Sequence, residues 1–135
     1  MRTRIKICGL TREEDIAAAV EAGADALGFV FYPKSKRCLT VERAAQLRRE
    51  IPAFVSLVAL FVNATADEIR AVQDAVQPDL LQFHGDETPE RCREHQHRYV
   101  KAFRVGGPGL TTASEVLQSC LRYKDAAGWL FDSYT

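Results

Sequence analysis

Groups able to move a proton or hold an anion stand just past the apolar runs of this 135-residue chain: Cys8, the Ser35-Lys36-Arg37 stretch, Asn63, His84, Arg104 and Asp132. A thiol and a carboxylate can serve as base and acid, and a planar guanidinium grips a carboxylate through two parallel hydrogen bonds. Cys8, Asp132 and Arg37 therefore point to acid–base chemistry on a small anionic molecule. Each also has a plainer explanation. A lone cysteine is more often buried and inert, an aspartate past a strand commonly caps a helix, and Lys-Ser-Lys-Arg is commonly a solvated loop. For His84, lining a pocket and satisfying a strand-end backbone group weigh equally. His95 and His97 lie in a polar stretch and are assigned no role. Gly106-Gly107-Pro108-Gly109 lacks the spacing of a phosphate cradle, and Pro108 removes a donor, so it reads as a turn.

Something must bring these distant residues together. The runs Ile5–Cys8, Ala26–Phe31, Val55–Val62, Leu80–Phe83, Tyr99–Phe103 and Trp129–Phe131 are short, nearly continuous and rich in β-branched or aromatic residues. Such runs predict strands covered on both faces. Between them, Thr11 with Glu14, Thr65 with Glu68 and Thr112 with Glu115 match the capping box. Thr40 and Thr88 match simple N-caps, Pro89 suits a first helical position, and Gly23 a helix stop. The order β-α-β-α-β-α-β-α-β-α-β predicts an α/β fold with a parallel sheet and right-handed crossovers. Functional groups in such folds gather at the C-terminal ends of strands, whether the sheet is open and doubly wound or closed into a barrel. Strand ends 20 to 31 residues apart in sequence would then share one edge. Six strands are too few to close an eight-stranded barrel. The last strand ends three residues before Thr135 with no helical stretch after it, so the sequence reads as cut short.

Composition narrows the partners. Eighteen basic residues balance eighteen acidic ones, leaving no basic field for nucleic acid or an anionic membrane. No run approaches the ~18 apolar residues of a membrane span. Arg2, Arg4 and Lys6 are followed too soon by Arg12, Glu13, Glu14 and Asp15 for a secretory signal core. Cys8, Cys38, Cys92 and Cys120 form no Cys-x-x-Cys pair, against a zinc ribbon or dithiol site. A cytoplasmic chain with reduced thiols, folded as one domain over residues 1–135, is expected.

The wording of the segments goes further. Lys6-Ile7-Cys8-Gly9-Leu10-Thr11 resembles the opening signature of the phosphoribosylanthranilate isomerases of tryptophan synthesis. Gly23 to Tyr32, followed by Pro33-Lys34-Ser35-Lys36-Arg37, is similar to that family's second-strand motif. Leu60-Phe61-Val62-Asn63, Leu81-Gln82-Phe83-His84-Gly85 and Leu130-Phe131-Asp132-Ser133 resemble its third, fourth and sixth strand ends, in order along the whole chain. The resemblance implies a (βα)8 TIM barrel of about 200 residues, of which this chain would be five βα units plus strand six. A rearranged open, flavodoxin-like sheet is the alternative architecture.

It also implies a reaction. An aminoaldose, N-(5-phosphoribosyl)anthranilate, becomes the 1-amino-1-deoxyketose by an Amadori rearrangement needing neither cofactor nor metal. By the same resemblance Cys8 is the general base, Asp132 the general acid, and Arg37 the grip on the anthranilate carboxylate, with His84 beside the substrate. Because an aspartic acid ordinarily titrates near about 3.9, an acid at 132 calls for shielding by Trp129, Leu130 and Phe131 or for the substrate's own charge. The substrate phosphate would be held by loops after strands seven and eight. A non-catalytic folding or assembly fragment, associating with a second copy through exposed strand edges, is the competing expectation.

Overall fold

Strands that are apolar on both faces must be covered on both, and this requirement shapes the computed structural model, which describes residues 1–135. Six strands, β1 (Lys6–Cys8), β2 (Ala26–Val30), β3 (Ser56–Phe61), β4 (Leu80–Phe83), β5 (Tyr99–Val105) and β6 (Gly128–Ser133), form one parallel sheet in the order β1-β2-β3-β4-β5-β6. Helices α1 (Glu13–Glu21), α2 (Val41–Arg48), α3 (Ala66–Ala75), α4 (Pro89–Arg93) and α5 (Ala113–Leu121) make the crossovers.

Alternation along the strands sorts side chains into two faces. Leu27 and Phe29 of β2, Leu57, Ala59 and Phe61 of β3, and Leu81 and Phe83 of β4 point toward the helices and are fully or nearly fully buried. There they join Ile16, Ala44, Leu47, Ile69 and Val72 from the helix faces in one apolar cluster. Phe31, Phe61, Phe83 and Tyr99 continue through it as a chain of ring contacts, with centroids 5.6 to 6.4 Å apart. The opposite set, Lys6, Cys8, Gly28, Gln82, His84, Leu130 and Asp132, occupies the other face.

That second face is concave. Lys6 Nζ on β1 donates to Gln82 Oε1 on β4, although three strand spacings of about 4.8 Å separate those strands in a flat sheet. Side chains bridge such a gap only across the inside of a curl. The sequential strand order also differs from the flavodoxin-like order, in which strand one lies between two and three. The rearranged open sheet is therefore not what this sequence adopts.

Most helix punctuation matches expectation. Thr65 and Thr112 form complete capping boxes with Glu68 and Glu115, Thr40 and Thr88 accept from the third amide beyond them, and Gly23 follows the α1 cap at φ +96°. The Thr11–Glu14 box does not form. Helix α1 starts one residue later, with Arg12 as its N-cap, so Glu14 falls one position short of where it could reach back. Arg12 instead engages Asp15 at 2.9 Å.

Candidate active site

The C-terminal ends of the strands line a cavity of about 460 Å³, walled by Lys6, Cys8, Val30, Tyr32, Ser35, Arg37, Leu60, Val62, Gln82, His84, Arg104, Leu130, Phe131 and Asp132. Cys8, Arg37, His84 and Asp132 are all among them. Asn63 is not: it adopts φ +52° in the loop after β3, and its Oδ1 accepts from the Asp86 amide at 2.9 Å, bracing the next loop. His95 and His97 lie outside the cavity. Gly106 to Leu110 forms a closed turn between β5 and α5, with Gly106 N donating to Leu110 O at 2.8 Å.

Cys8 ends β1 and is half-buried, its thiol lying over Gly28 of β2. A Cβ at position 28 would come within 2.9 Å of Cys8 Sγ and 3.2 Å of its Cα. Position 28 must therefore stay without a side chain for the thiol to sit where it does. Arg37 arrives from the loop after β2, whose Ser35 Oγ accepts from the Arg37 amide at 3.1 Å. Its Nη1 donates to the Cys8 carbonyl at 3.1 Å. Gly9, at φ +82°, passes beneath the guanidinium so closely that a Cβ there would overlap it. Two glycines thus make room for the two groups.

On the far wall, Asp132 accepts from His84 Nε2 at 3.2 Å through Oδ2 and from the Ser133 amide at 2.9 Å through Oδ1. Its side chain is 53% exposed. The expected apolar shield is only partly there: Leu130 shares its face and Phe131 touches the cavity wall, but the rings of Trp129 and Phe131 turn to the helix side. Trp129 Nε1 donates to Tyr123 O at 3.1 Å, and Phe131 lies 6.1 Å from the Phe103 ring.

Two further residues, Lys6 and Gln82, belong to the site. Gln82 is 3% exposed and Lys6 half-buried; burial pushes the Lys6 ammonium below its ordinary value, and the nearby Cys8 side chain acts the other way. Both stand two residues before a site group, on the same strand face. In the loops past β3 and β4, the buried Glu87 carboxylate accepts from the Asn63 and Gly85 amides at 2.8 and 2.9 Å, and Lys101 Nζ donates to Gly85 O at 2.8 Å. These contacts hold the peptide that follows His84. No group of three or more His, Cys, Asp and Glu side chains is assembled to hold a metal ion.

The family model for N-(5'phosphoribosyl)anthranilate (PRA) isomerase matches residues 5–135. The chain belongs to the phosphoribosylanthranilate isomerase family. It is 67% identical over all 135 residues to the N-(5'-phosphoribosyl)anthranilate isomerase of Bordetella pertussis, and covers 62% of that relative. The chain thus spans less than two thirds of the length of the curated relatives it matches. The crystal structure of phosphoribosyl anthranilate isomerase from Thermotoga maritima superposes with a TM-score of 0.88 at 39% identity, over 99% of this chain and 63% of that one. A phosphoribosyl anthranilate isomerase solved in complex with reduced 1-(o-carboxyphenylamino)-1-deoxyribulose 5-phosphate superposes at 0.86 and 38% identity, over 98% and 66%. The curled parallel sheet of this chain is that of the family's barrel.

Proposed function

We propose that the protein built on this chain isomerises N-(5-phosphoribosyl)anthranilate to 1-(2-carboxyphenylamino)-1-deoxyribulose 5-phosphate. The carrying observation is that a thiol, a guanidinium and a carboxylate from β1, the loop after β2, and β6 line one cavity. Asp132 gives its proton to the ribose ring oxygen as the anilino nitrogen lone pair forms the C1=N bond and the ring opens. Cys8 takes the C2 proton, and that electron pair makes the C1=C2 bond of an enol-amine while the iminium is neutralised. Return of a proton to C1 and loss of the enol proton leave the ketone. Every atom of the substrate is retained, and two proton-transfer groups suffice.

Arg37 has one Nη1–H committed to the Cys8 carbonyl, leaving its other donors for the anthranilate carboxylate. His84 lies at the substrate's side through its bond to Asp132. In this reading the 135 residues are one domain, five βα units plus strand six of the eight-unit barrel, working in the cytoplasm. The substrate phosphate is taken by the portion that full-length relatives carry beyond the matched stretch.

Turnover is the test, followed by loss of the anthranilate adduct's fluorescence, for this chain alone and for this chain fused to the remaining barrel segment of a relative. Turnover in the fusion that disappears in Cys8→Ala supports the assignment. A folded fusion with no turnover overturns it. Unpaired edges on β1 and β6 favour one further property: pairing with a second copy when the chain stands alone.

A further inference from the structure

We infer that Lys6 and Gln82 are positioning residues that dictate which nitrogen of His84 carries the proton, and so which way His84 presents itself to Asp132. The inference rests on the proposed isomerase site but stands on hydrogen-bond chemistry of its own. Four side chains form one line across the concave face. Lys6 Nζ lies 2.5 Å from Gln82 Oε1, Gln82 Nε2 lies 3.1 Å from His84 Nδ1, and His84 Nε2 lies 3.2 Å from Asp132 Oδ2.

The direction of this line is set at its first member. An ammonium has three donors and no acceptor, so the only Gln82 atom that can face Lys6 is the carbonyl oxygen. That turns the Gln82 amide nitrogen, a donor, toward His84 Nδ1. Nδ1 must then accept, which leaves the ring proton on Nε2, and Nε2 donates to Asp132. Reversing the glutamine would place an amide nitrogen against an ammonium, two donors face to face in a nearly dry setting, since Gln82 is 3% exposed. A charge on β1 therefore fixes a tautomer on β4 and anchors a carboxylate on β6. Neither Lys6 nor Gln82 touches the reacting atoms; each acts through the next residue.

The network is read directly by imidazole nitrogen NMR on the 135-residue protein, with the His84 signals assigned by their loss in His84→Asn. The native protein is expected to show Nε2 protonated and Nδ1 bare. Asp132→Ala removes the far acceptor, and the same tautomer is expected to persist because Gln82 still faces Nδ1. Gln82→Glu keeps an acceptor for Lys6 but sets a second acceptor opposite Nδ1, which is expected to become protonated. Lys6→Met combined with Asp132→Ala frees both ends, and the Nδ1–H form is expected to rise from undetectable to a resolved minor population. A native spectrum with Nδ1 protonated overturns the inference, as does a folded Gln82→Glu protein in which Nδ1 stays bare. If Gln82→Glu does not fold, the native and Asp132→Ala spectra decide. None of these spectra requires turnover, so the inference fails or survives independently of the isomerase assignment.

Discussion

Gly28 shows how narrowly the thiol is placed. Cys8 Sγ occupies the space that a Cβ at position 28 would enter, and the Cys8 backbone closes the way out. Gly28→Ala is therefore expected to push the thiol aside while leaving the strand paired. A misplacement on the order of 1 Å costs about a hundredfold in rate. Steady-state kinetics of the fusion used above should thus show kcat/KM falling about a hundredfold, with Tm nearly unchanged, and an unaltered kcat/KM would show that the thiol tolerates displacement. Arg37 has the same dependence on a missing side chain, at Gly9. The pair explains why the Lys6-Ile7-Cys8-Gly9 wording carries so much information: its glycine is part of the site.

At the scale of elements, α1 and α2 are tied by Glu13, whose carboxylate accepts from Arg43 at 2.7 Å and is held down to about 2 from an ordinary 4.5. A depressed carboxylate stabilises the fold above its ordinary value, and that contribution fades as pH falls from about 4.5 toward about 2. Arg43→Met is expected to lower Tm at pH 6 and to leave it close to native near the bottom of that window. Thermal melts across the range check this, and equal losses at both ends would discount the pair. The elements themselves are well legible in the sequence, because apolar runs and capping threonines act locally. Cys8, Arg37, His84 and Asp132 are legible for a related reason: each ends or follows such a run. Lys6 and Gln82 are not, since a polar residue inside a strand ordinarily faces solvent, and only the curl turns them toward one another. The orientation of Trp129 and Phe131 is lost for the opposite reason, since nearness in sequence does not reveal that alternation sends them to the other face from Asp132.

For the whole molecule, the sheet has two outer strands and an apolar margin. Phe131 is 57% exposed and Trp129 40% on the β6 side, beside exposed Leu117 of α5. Sedimentation of the 135-residue chain is expected to show concentration-dependent association that Phe131→Lys weakens, and a monomer at every concentration would rule out edge pairing. The strand order has another consequence. Because each strand pairs with the one made just before it, no strand must wait for a later one to be inserted beside it. Contacts formed between near neighbours in sequence close with little loss of chain entropy. As the chain leaves the ribosome, each βα unit can settle on the edge left by its predecessor, so the sheet grows in the order of synthesis. Lys6 would then wait for Gln82, and His84 for Asp132, so this line of side chains would be complete only once β6 has joined the sheet.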